Sequence, residues 1–181
     1  MQDSHESVNS NTPKLIICQQ PVRARCSGNG ATDFRSLDPT PVLQVISNIN
    51  HSKSDNDWFV AASIWSIDKN NNLDKEVEGL MFGNTFVGSR SLVDETGKVG
   101  TFFVFPNLYI KYEGIYRIVF RLIKLTSSDR QSFLPQTEVI DVIQTEPLQA
   151  FLPKNFPGKS NPSIMMHVFA HQAHDLRPRN L

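Results

Sequence analysis

The clearest hydrophobic pattern in the chain is an alternation along Tyr116–Leu125, where every second side chain from Tyr116 to Leu122 is aromatic or aliphatic. Phe120 and Leu122 fall on one face of an extended segment, and Arg121 falls on the other. A second segment, Trp58–Ile67, is apolar on both faces, as expected for a strand inside a sandwich. Both patterns predict β-strands.

The rest of the chain shows the same kind of short apolar runs, separated by turn-forming Gly, Asn, Asp and Pro. About nine short strands without an internal repeat predict an all-β fold, an antiparallel β-sandwich. The predicted strands are Lys14–Gln20, Val42–Ile49, Trp58–Ile67, Leu80–Val87, Thr101–Phe105, Leu108–Lys111, Tyr116–Leu125, Glu138–Gln144 and Leu148–Leu152.

A different pattern follows the last strand. Asn161 is predicted to cap a short helix, and Pro162 suits its first turn. Met165, Phe169 and Leu176 then fall near one face of that helix. This stripe predicts packing on the sandwich or on a partner, with packing on the chain's own core favoured.

Length and charge narrow the classes of function. The chain has 181 residues, of which 18 are basic and 18 acidic, so its formal net charge is zero. We expect a disordered tail at residues 1–13 and a single domain at residues 14–181. A neutral chain argues against binding nucleic acid over the whole surface, and any such binding requires a local basic patch. Two cysteines and no apolar leader predict a reducing compartment, cytosol or nucleus.

The best candidate for such a patch is the segment that follows the first strand. Lys14–Arg35 contains four basic residues and one acid. We predict a long loop at Pro21–Pro41, because Pro21 cannot donate to a ladder and small flexible residues follow it. Arginines in such a loop suit contacts with phosphates and base edges. A solvated loop that binds nothing is the alternative.

Other kinds of chemistry find little support in the sequence. The D-x-N-x-N run that begins at Asp68 lacks the Gly and Glu that a calcium loop needs at its sixth and twelfth positions. His167, His171 and His174 share a helix face but lack further ligands at zinc spacing. No motif of a hydrolase, zinc protease or phosphate-binding loop is present. We therefore predict no catalytic residue, no metal and no cofactor.

Four stretches together resemble the velvet domain, a fungal family of developmental transcription regulators. They occur in the family's order, and the resemblance they indicate extends over nearly all of residues 15–179. The stretches are QQPVRARCSGNG at Gln19–Gly30, LDPTPVLQV at Leu37–Val45, the central run at Gly100–Leu122 and TEPLQAFLPKNFPG at Thr145–Gly158.

The resemblance implies a fold similar to the immunoglobulin-like DNA-binding domain of Rel proteins. It also implies a nuclear protein, with shuttling from the cytoplasm, that binds double-stranded DNA as a homodimer or as a heterodimer with another velvet-domain protein. It implies a sequence-specific transcription regulator that controls development, sporulation and secondary metabolism, and no enzyme activity. Residues carried over to a DNA-recognition loop are Gln20, Arg23, Arg25, Cys26, Asn29 and Arg35.

One departure from the family pattern bears on DNA affinity. The family commonly has Asp-Arg-Arg-Pro where this chain has Asp33-Phe34-Arg35-Ser36, so one basic residue is missing. The alternative function is therefore a dimerisation or interaction module that partners another velvet regulator without itself binding DNA.

Overall fold

The computed structural model of the protein describes residues 12–27, 34–47, 58–126 and 136–176. The described chain consists mostly of β-strands with one short helix, α1. The elements are β1 (Lys14–Gln19), β2 (Arg23–Arg25), β3 (Val42–Ile46), β4 (Trp58–Ile67), β5 (Leu73–Glu76), β6 (Met81–Gly83), β7 (Phe86–Gly88), β8 (Arg90–Val93), β9 (Val99–Val104), β10 (Leu108–Ile110), β11 (Gly114–Thr126), β12 (Gln136–Gln144), β13 (Leu148–Phe151) and α1 (Ile164–Gln172).

Two main sheets form a β-sandwich, which confirms the predicted fold class. One sheet has four antiparallel strands in the order β1-β3-β9-β8. The larger sheet has the order β2-β13-β11-β4-β5, with β12 also pairing with β11 and β7 with β4. Strands β6 and β10 form a separate two-stranded ribbon. The β13–β2 pair is parallel, and it builds the sheet edge on which the candidate site lies.

The alternation along β11 places its apolar side chains in the core between the sheets. Ile118, Phe120 and Leu122 are completely buried there. Phe103 of β9 belongs to the same core cluster from the opposite sheet. Phe105 packs on Phe120 with ring centroids 5.1 Å apart. The core therefore follows the period-two pattern that predicted the strands.

The four-stranded sheet is buried on both faces where α1 covers part of its outer face. Phe169 of α1 contacts Phe102 of β9 with ring centroids 4.9 Å apart. Met166 and Leu176 lie in the same buried cluster. The apolar stripe of the helix thus packs on the chain's own sandwich, as the sequence favoured.

The helix begins later than predicted. Ser163, not Asn161, is the cap: its Oγ accepts a hydrogen bond from the N–H of Met166 at 3.2 Å. The shift also changes which side chains face the sheet. Met166 is buried where Met165 was expected, and Ile164 is 73% exposed.

Three strand predictions need correction. The segment predicted as a polar connection contains β5, an edge strand that pairs with β4 without burying many apolar side chains. The predicted strand Leu80–Val87 is divided into β6 and β7, because Gly83 adopts a φ of 99° and turns the chain. Strand β8, which pairs with β9, was not predicted.

Candidate nucleic-acid interface

The arginine-bearing segment is a strand, so the prediction of a continuous loop at Pro21–Pro41 is wrong. Strand β2 pairs in parallel with β13, with Arg23 opposite Gln149 and Arg25 opposite Phe151. Ala24, between the two arginines, is completely buried. Because side chains alternate along a strand, Arg23 and Arg25 share the face opposite to Ala24. Backbone pairing therefore presents both arginines in a fixed direction.

Asp38 holds Arg23. The Nε–H of Arg23 donates to Oδ2 of Asp38 at 2.6 Å. Two backbone hydrogen bonds join the same residues: Arg23 N–H to Asp38 C=O at 3.0 Å, and Asp38 N–H to Arg23 C=O at 2.9 Å. The Asp38 carboxylate also accepts the N–H of Ser160 at 2.9 Å and its hydroxyl at 2.7 Å.

The carboxyl group of Asp38 is ionised although the residue is only 5% exposed. Burial acts to raise its pKa, but the hydrogen bonds from Ser160 and from the Arg23 guanidinium outweigh burial and bring the pKa below its ordinary value. A buried carboxylate of this kind is stabilised only when its lone pairs are satisfied. Asp38 is thus a buried negative charge that hydrogen bonds from Arg23 and Ser160 hold in place.

The other predicted contact residues occupy different environments. Gln20 directly follows β1, and its Oε1 accepts the N–H of Glu146 at 3.3 Å. Arg35 is half-buried and lies close enough to Lys159 to act on its pKa. Asn29 lies outside the described residues.

The prediction that Cys26 is exposed is wrong. Its side chain is 3% exposed, and its N–H donates to the carbonyl of Phe151 at 2.9 Å, which continues the ladder beyond β2. Burial, followed by the nearby charge of Glu113, raises the pKa of the thiol. The opposing effect of Arg25 is smaller, so Cys26 is a neutral side chain packed inside the sandwich. Cys18 is likewise a free thiol, and burial raises its pKa to about 11.

Two lysines join the predicted arginines, and sequence reasoning missed both. Lys154 lies in a short 3-10 turn, Pro153–Asn155, three residues after the β2 partner Phe151. The Nζ of Lys159 lies 3.4 Å from the hydroxyl oxygen of Ser36. Burial and, less strongly, the positive charge of Arg35 lower the pKa of Lys159, whereas Asp38 raises it.

We call these cations together the basic strip. It is built by three segments, residues 20–27, 34–41 and 148–163, in which the one acid is the buried Asp38. A signal for the lysines was present, since residues 148–163 contain basic residues but no acid. The strip consists of Arg23, Arg25, Arg35, Lys154 and Lys159.

Phe34 stands at the position where the family pattern has a basic residue, and its ring has a packing role instead. Its ring packs on Phe82 and Tyr109, with centroid distances of 5.3 and 5.6 Å. The segment that follows is tied to the same ribbon, because the N–H of Leu37 donates to the carbonyl of Leu108 at 3.0 Å. The aromatic side chain therefore anchors this segment where the family pattern has an arginine.

The rejected metal motifs have structural explanations. Oδ1 of Asp68 accepts the N–H groups of Asn70 and Asn72 at 2.8 and 2.9 Å, so the motif is a hydrogen-bonded turn. His167 and His171 on α1 are both exposed. Within the described ranges, no group of three His, Cys, Asp or Glu side chains is placed to hold a metal ion. No described helix is long and apolar enough to cross a membrane.

Comparison with known proteins defines the class. The family model described as Velvet factor matches residues 13–79 and 66–180, two overlapping segments that cover nearly the whole chain. The chain therefore belongs to the velvet factor family.

Relatives in this family are named as regulators of development. The chain is 26% identical to the spore development regulator RYP2 of Ajellomyces capsulatus, over 92% of this chain and 43% of the relative. It is 26% identical to the sexual development regulator umv3 of Mycosarcoma maydis, over 96% of this chain and 47% of the relative. It is also 26% identical to the developmental and secondary metabolism regulator MVE1 of Zymoseptoria tritici, over 93% of this chain and 75% of the relative. The chain spans about half the length of RYP2 and umv3.

Proposed function

We propose that this chain is a sequence-specific DNA-binding regulator of transcription that contacts double-stranded DNA with the basic strip. In this function it acts in the nucleus, with shuttling from the cytoplasm, as a homodimer or as a heterodimer with another velvet-domain protein. Its role is the control of development, sporulation and secondary metabolism, as the names of its relatives indicate for those proteins. The observation that carries the proposal is that the three segments of the basic strip contain five cations and one acid, the buried Asp38, in a chain of zero net charge.

The strip contains the two kinds of contact that sequence-specific binding needs. Lysine ammonium groups such as that of Lys154 attract phosphates without a strong directional requirement. Arginine guanidinium groups match the O6 and N7 acceptors of guanine with two hydrogen bonds. Because Arg23 and Arg25 are carried by a paired strand, their spacing along the DNA is fixed by the backbone.

The salt dependence of DNA binding tests the phosphate contacts. We expect the logarithm of affinity to fall against the logarithm of salt concentration with a slope of about −2 to −5 per protomer, at about 0.9 per phosphate. Changing Lys154 and Lys159 together to glutamine is expected to weaken binding to all duplexes and to make the slope shallower by about two. Fluorescence anisotropy with a labelled duplex measures both quantities.

The matched control is Lys75→Gln, since Lys75 lies on β5 at the sheet edge opposite to β2. This control loses the same type of charge and is expected to keep the parent slope. A parent slope near zero, or an equal effect of Lys75→Gln, contradicts phosphate binding by the strip. A retarded band with duplex DNA at low salt, absent when Arg23 and Arg25 are neutralised, separates a DNA-binding protein from an interaction module that binds no DNA.

The proposed dimer has a candidate surface on the outer face of the larger sheet. Pairing places Phe86, Ala61, Arg121 and Val142 in one row across four strands. Phe86 is 52% exposed and Val142 54% exposed. Exposed apolar surface of this kind marks sites of protein interaction, and arginine is common in them. The expected contact covers about 800 Å² per partner.

Changing Val142 to Asp is expected to dissociate the dimer, because a carboxylate would be buried at an apolar contact. We expect the dimer dissociation constant to rise by at least about tenfold, since one buried polar group costs about 1–3 kcal/mol. Sedimentation velocity over a range of concentrations measures it. Ile164→Asp is the control, because Ile164 is exposed on α1, on the other side of the sandwich. A parent that is monomeric alone and with every velvet domain tried contradicts the dimer.

A further inference from the structure

The guanidinium of Arg23 is bound at Nε, and its two Nη atoms have no bond to the part of the chain that the structure describes. Its Nε–H donates to Asp38 at 2.6 Å. Among the residues that the structure describes, no hydrogen bond or ion pair joins its two Nη atoms to another protein atom. A guanidinium carries five N–H donors in a planar fork, so the four Nη–H groups are not engaged by any of the described residues. The side chain is 28% exposed, which leaves this end accessible to a ligand.

The carboxylate that binds Nε is itself held rigidly. Asp38 accepts two hydrogen bonds from Ser160 and exchanges two backbone hydrogen bonds with Arg23. An arginine side chain has about 2 kcal/mol of rotamer entropy to lose on binding. Part of that loss has already occurred in the free protein, because the guanidinium is fixed at Nε. A guanidinium held by a buried partner in this way presents its remaining N–H donors at a well-defined position.

The ion pair also changes which ligand Arg23 suits. A phosphate is bound through net charge, and the charge of Arg23 is already offset by a buried carboxylate at 2.6 Å. The exposed Lys154 has no such ion pair among the described residues, so it suits phosphate better. Directional hydrogen bonding by the Nη fork is not cancelled by the ion pair. The two acceptors on the major-groove edge of guanine fit this fork.

We propose that Asp38 is a positioning residue that fixes Arg23 as a guanine-reading side chain of the basic strip. The inference rests on the proposed function, because it assigns separate roles within the same DNA-binding surface. Arg23 determines sequence preference, and the lysines provide affinity for any duplex. Asp38 contacts no DNA and acts through the orientation of Arg23.

The variant Asp38→Asn separates positioning of Arg23 from a general effect of charge on DNA affinity, because it keeps the shape of the side chain and removes its charge. The strip then gains one net positive charge. Affinity for a random duplex is therefore expected to rise, and the log–log salt slope to steepen by about one. Affinity for the preferred duplex, selected from random sequences with the parent chain, is expected to fall. The ratio of specific to random affinity should drop about tenfold or more, as for loss of one bidentate contact.

Asp175→Asn is the matched control. Asp175 forms an ion pair with Arg90, outside the basic strip, and its substitution changes the net charge by the same amount. We expect this control to keep the parent ratio of specific to random affinity. A second readout needs no DNA: the Nε–H proton of Arg23, assigned with Arg23→Lys, should exchange slowly with water in the parent and rapidly in Asp38→Asn.

Each outcome has a distinct meaning. A parent chain that binds no duplex overturns the proposed function and this inference together. A parent that binds, with Asp38→Asn changing specific and random affinity by the same factor in either direction, overturns the inference alone. If Asp38→Asn does not fold, Ser160→Ala carries the test, because it loosens the carboxylate without changing charge. A lower ratio at an unchanged salt slope then supports the inference, and a parent-like ratio despite faster exchange of the Arg23 Nε–H proton overturns it.

Discussion

Replacing Gly83 by alanine is expected to destabilise the folded chain by at least about 3 kcal/mol, because backbone strain and a backbone clash combine at this position. Gly83 has a φ of 99°, where residues with a Cβ are strained. A Cβ at Gly83 would lie 2.1 Å from the carbonyl oxygen of Asn107. That oxygen also accepts the N–H of Asn84 at 2.7 Å, so it cannot move without losing a hydrogen bond.

The clash matters for the candidate site because Gly83 pairs with Leu108 in the β6–β10 ribbon. Leu108 and Ile110 of this ribbon accept hydrogen bonds from Leu37 and Ser27, which flank the arginines of the strip. We therefore expect Gly83→Ala to lower the melting temperature by about 6 °C or more, at roughly 2–4 °C per kcal/mol for a chain of this size. Thermal unfolding followed by circular dichroism measures the shift.

Gly97→Ala is the control for Gly83→Ala. Gly97 has a similar φ of 83°, but no atom lies within 4 Å of an added Cβ. This control isolates the conformational strain, about 1–2 kcal/mol for a single left-handed residue. If the two variants lose the same stability, the clash with Asn107 does not exist in solution.

The elements that the sequence predicted well are those whose burial follows a period. Strand β4 begins and ends at the predicted residues, Trp58 and Ile67. Strand β11 contains the whole predicted alternation. Strands β2 and β5 were missed because edge strands are held by backbone pairing and need few apolar side chains. Only a long-range pairing, between β2 and β13, turns the Arg-Ala-Arg segment into a strand.

Only part of the candidate site could be predicted from the sequence, because the other part again depends on long-range pairing. The arginines were visible as local charge in a neutral chain. Lys154 and Lys159 lie more than 100 residues away in the sequence, and only the β2–β13 pairing and the contact with Ser36 bring them to the strip. The role of Asp38 depends on Ser160, 122 residues further along the chain, which no local pattern indicates. Local pattern thus located the first half of the surface, and tertiary pairing supplied the rest.

Changing Arg23 to alanine is expected to weaken both folding and DNA binding. An arginine on the predicted loop would be exposed, and its loss would leave stability nearly unchanged. The structure corrects this, because the loss of Arg23 leaves the buried Asp38 without its cation. We expect a loss of about 1–3 kcal/mol in the free energy of unfolding at neutral pH. Loss of a bidentate guanine contact would also cost about 1–3 kcal/mol in specific binding.

The dependence of this loss on pH has a definite sign. The folded-state pKa of Asp38 lies below its ordinary value, so its stabilising effect is present above the unfolded pKa of about 3.9 and disappears as pH falls through the folded value. The stability difference between the parent and Arg23→Ala should therefore be full at pH 7 and shrink below about pH 4. Urea unfolding at a series of pH values measures it.

A double-mutant cycle then isolates the Arg23–Asp38 interaction from all other effects of the two substitutions. Arg23→Ala combined with Asp38→Asn should cost less than the sum of the single variants, with a coupling of about 1–3 kcal/mol at pH 7. Arg90 and Asp175 provide the comparison, because their side chains are 40% and 60% exposed and water screens the pair. Their coupling is expected to stay below about 1 kcal/mol. Equal couplings in the two cycles would show that Asp38 is not a buried partner of Arg23 in solution, and additive single variants would show that the two residues do not interact.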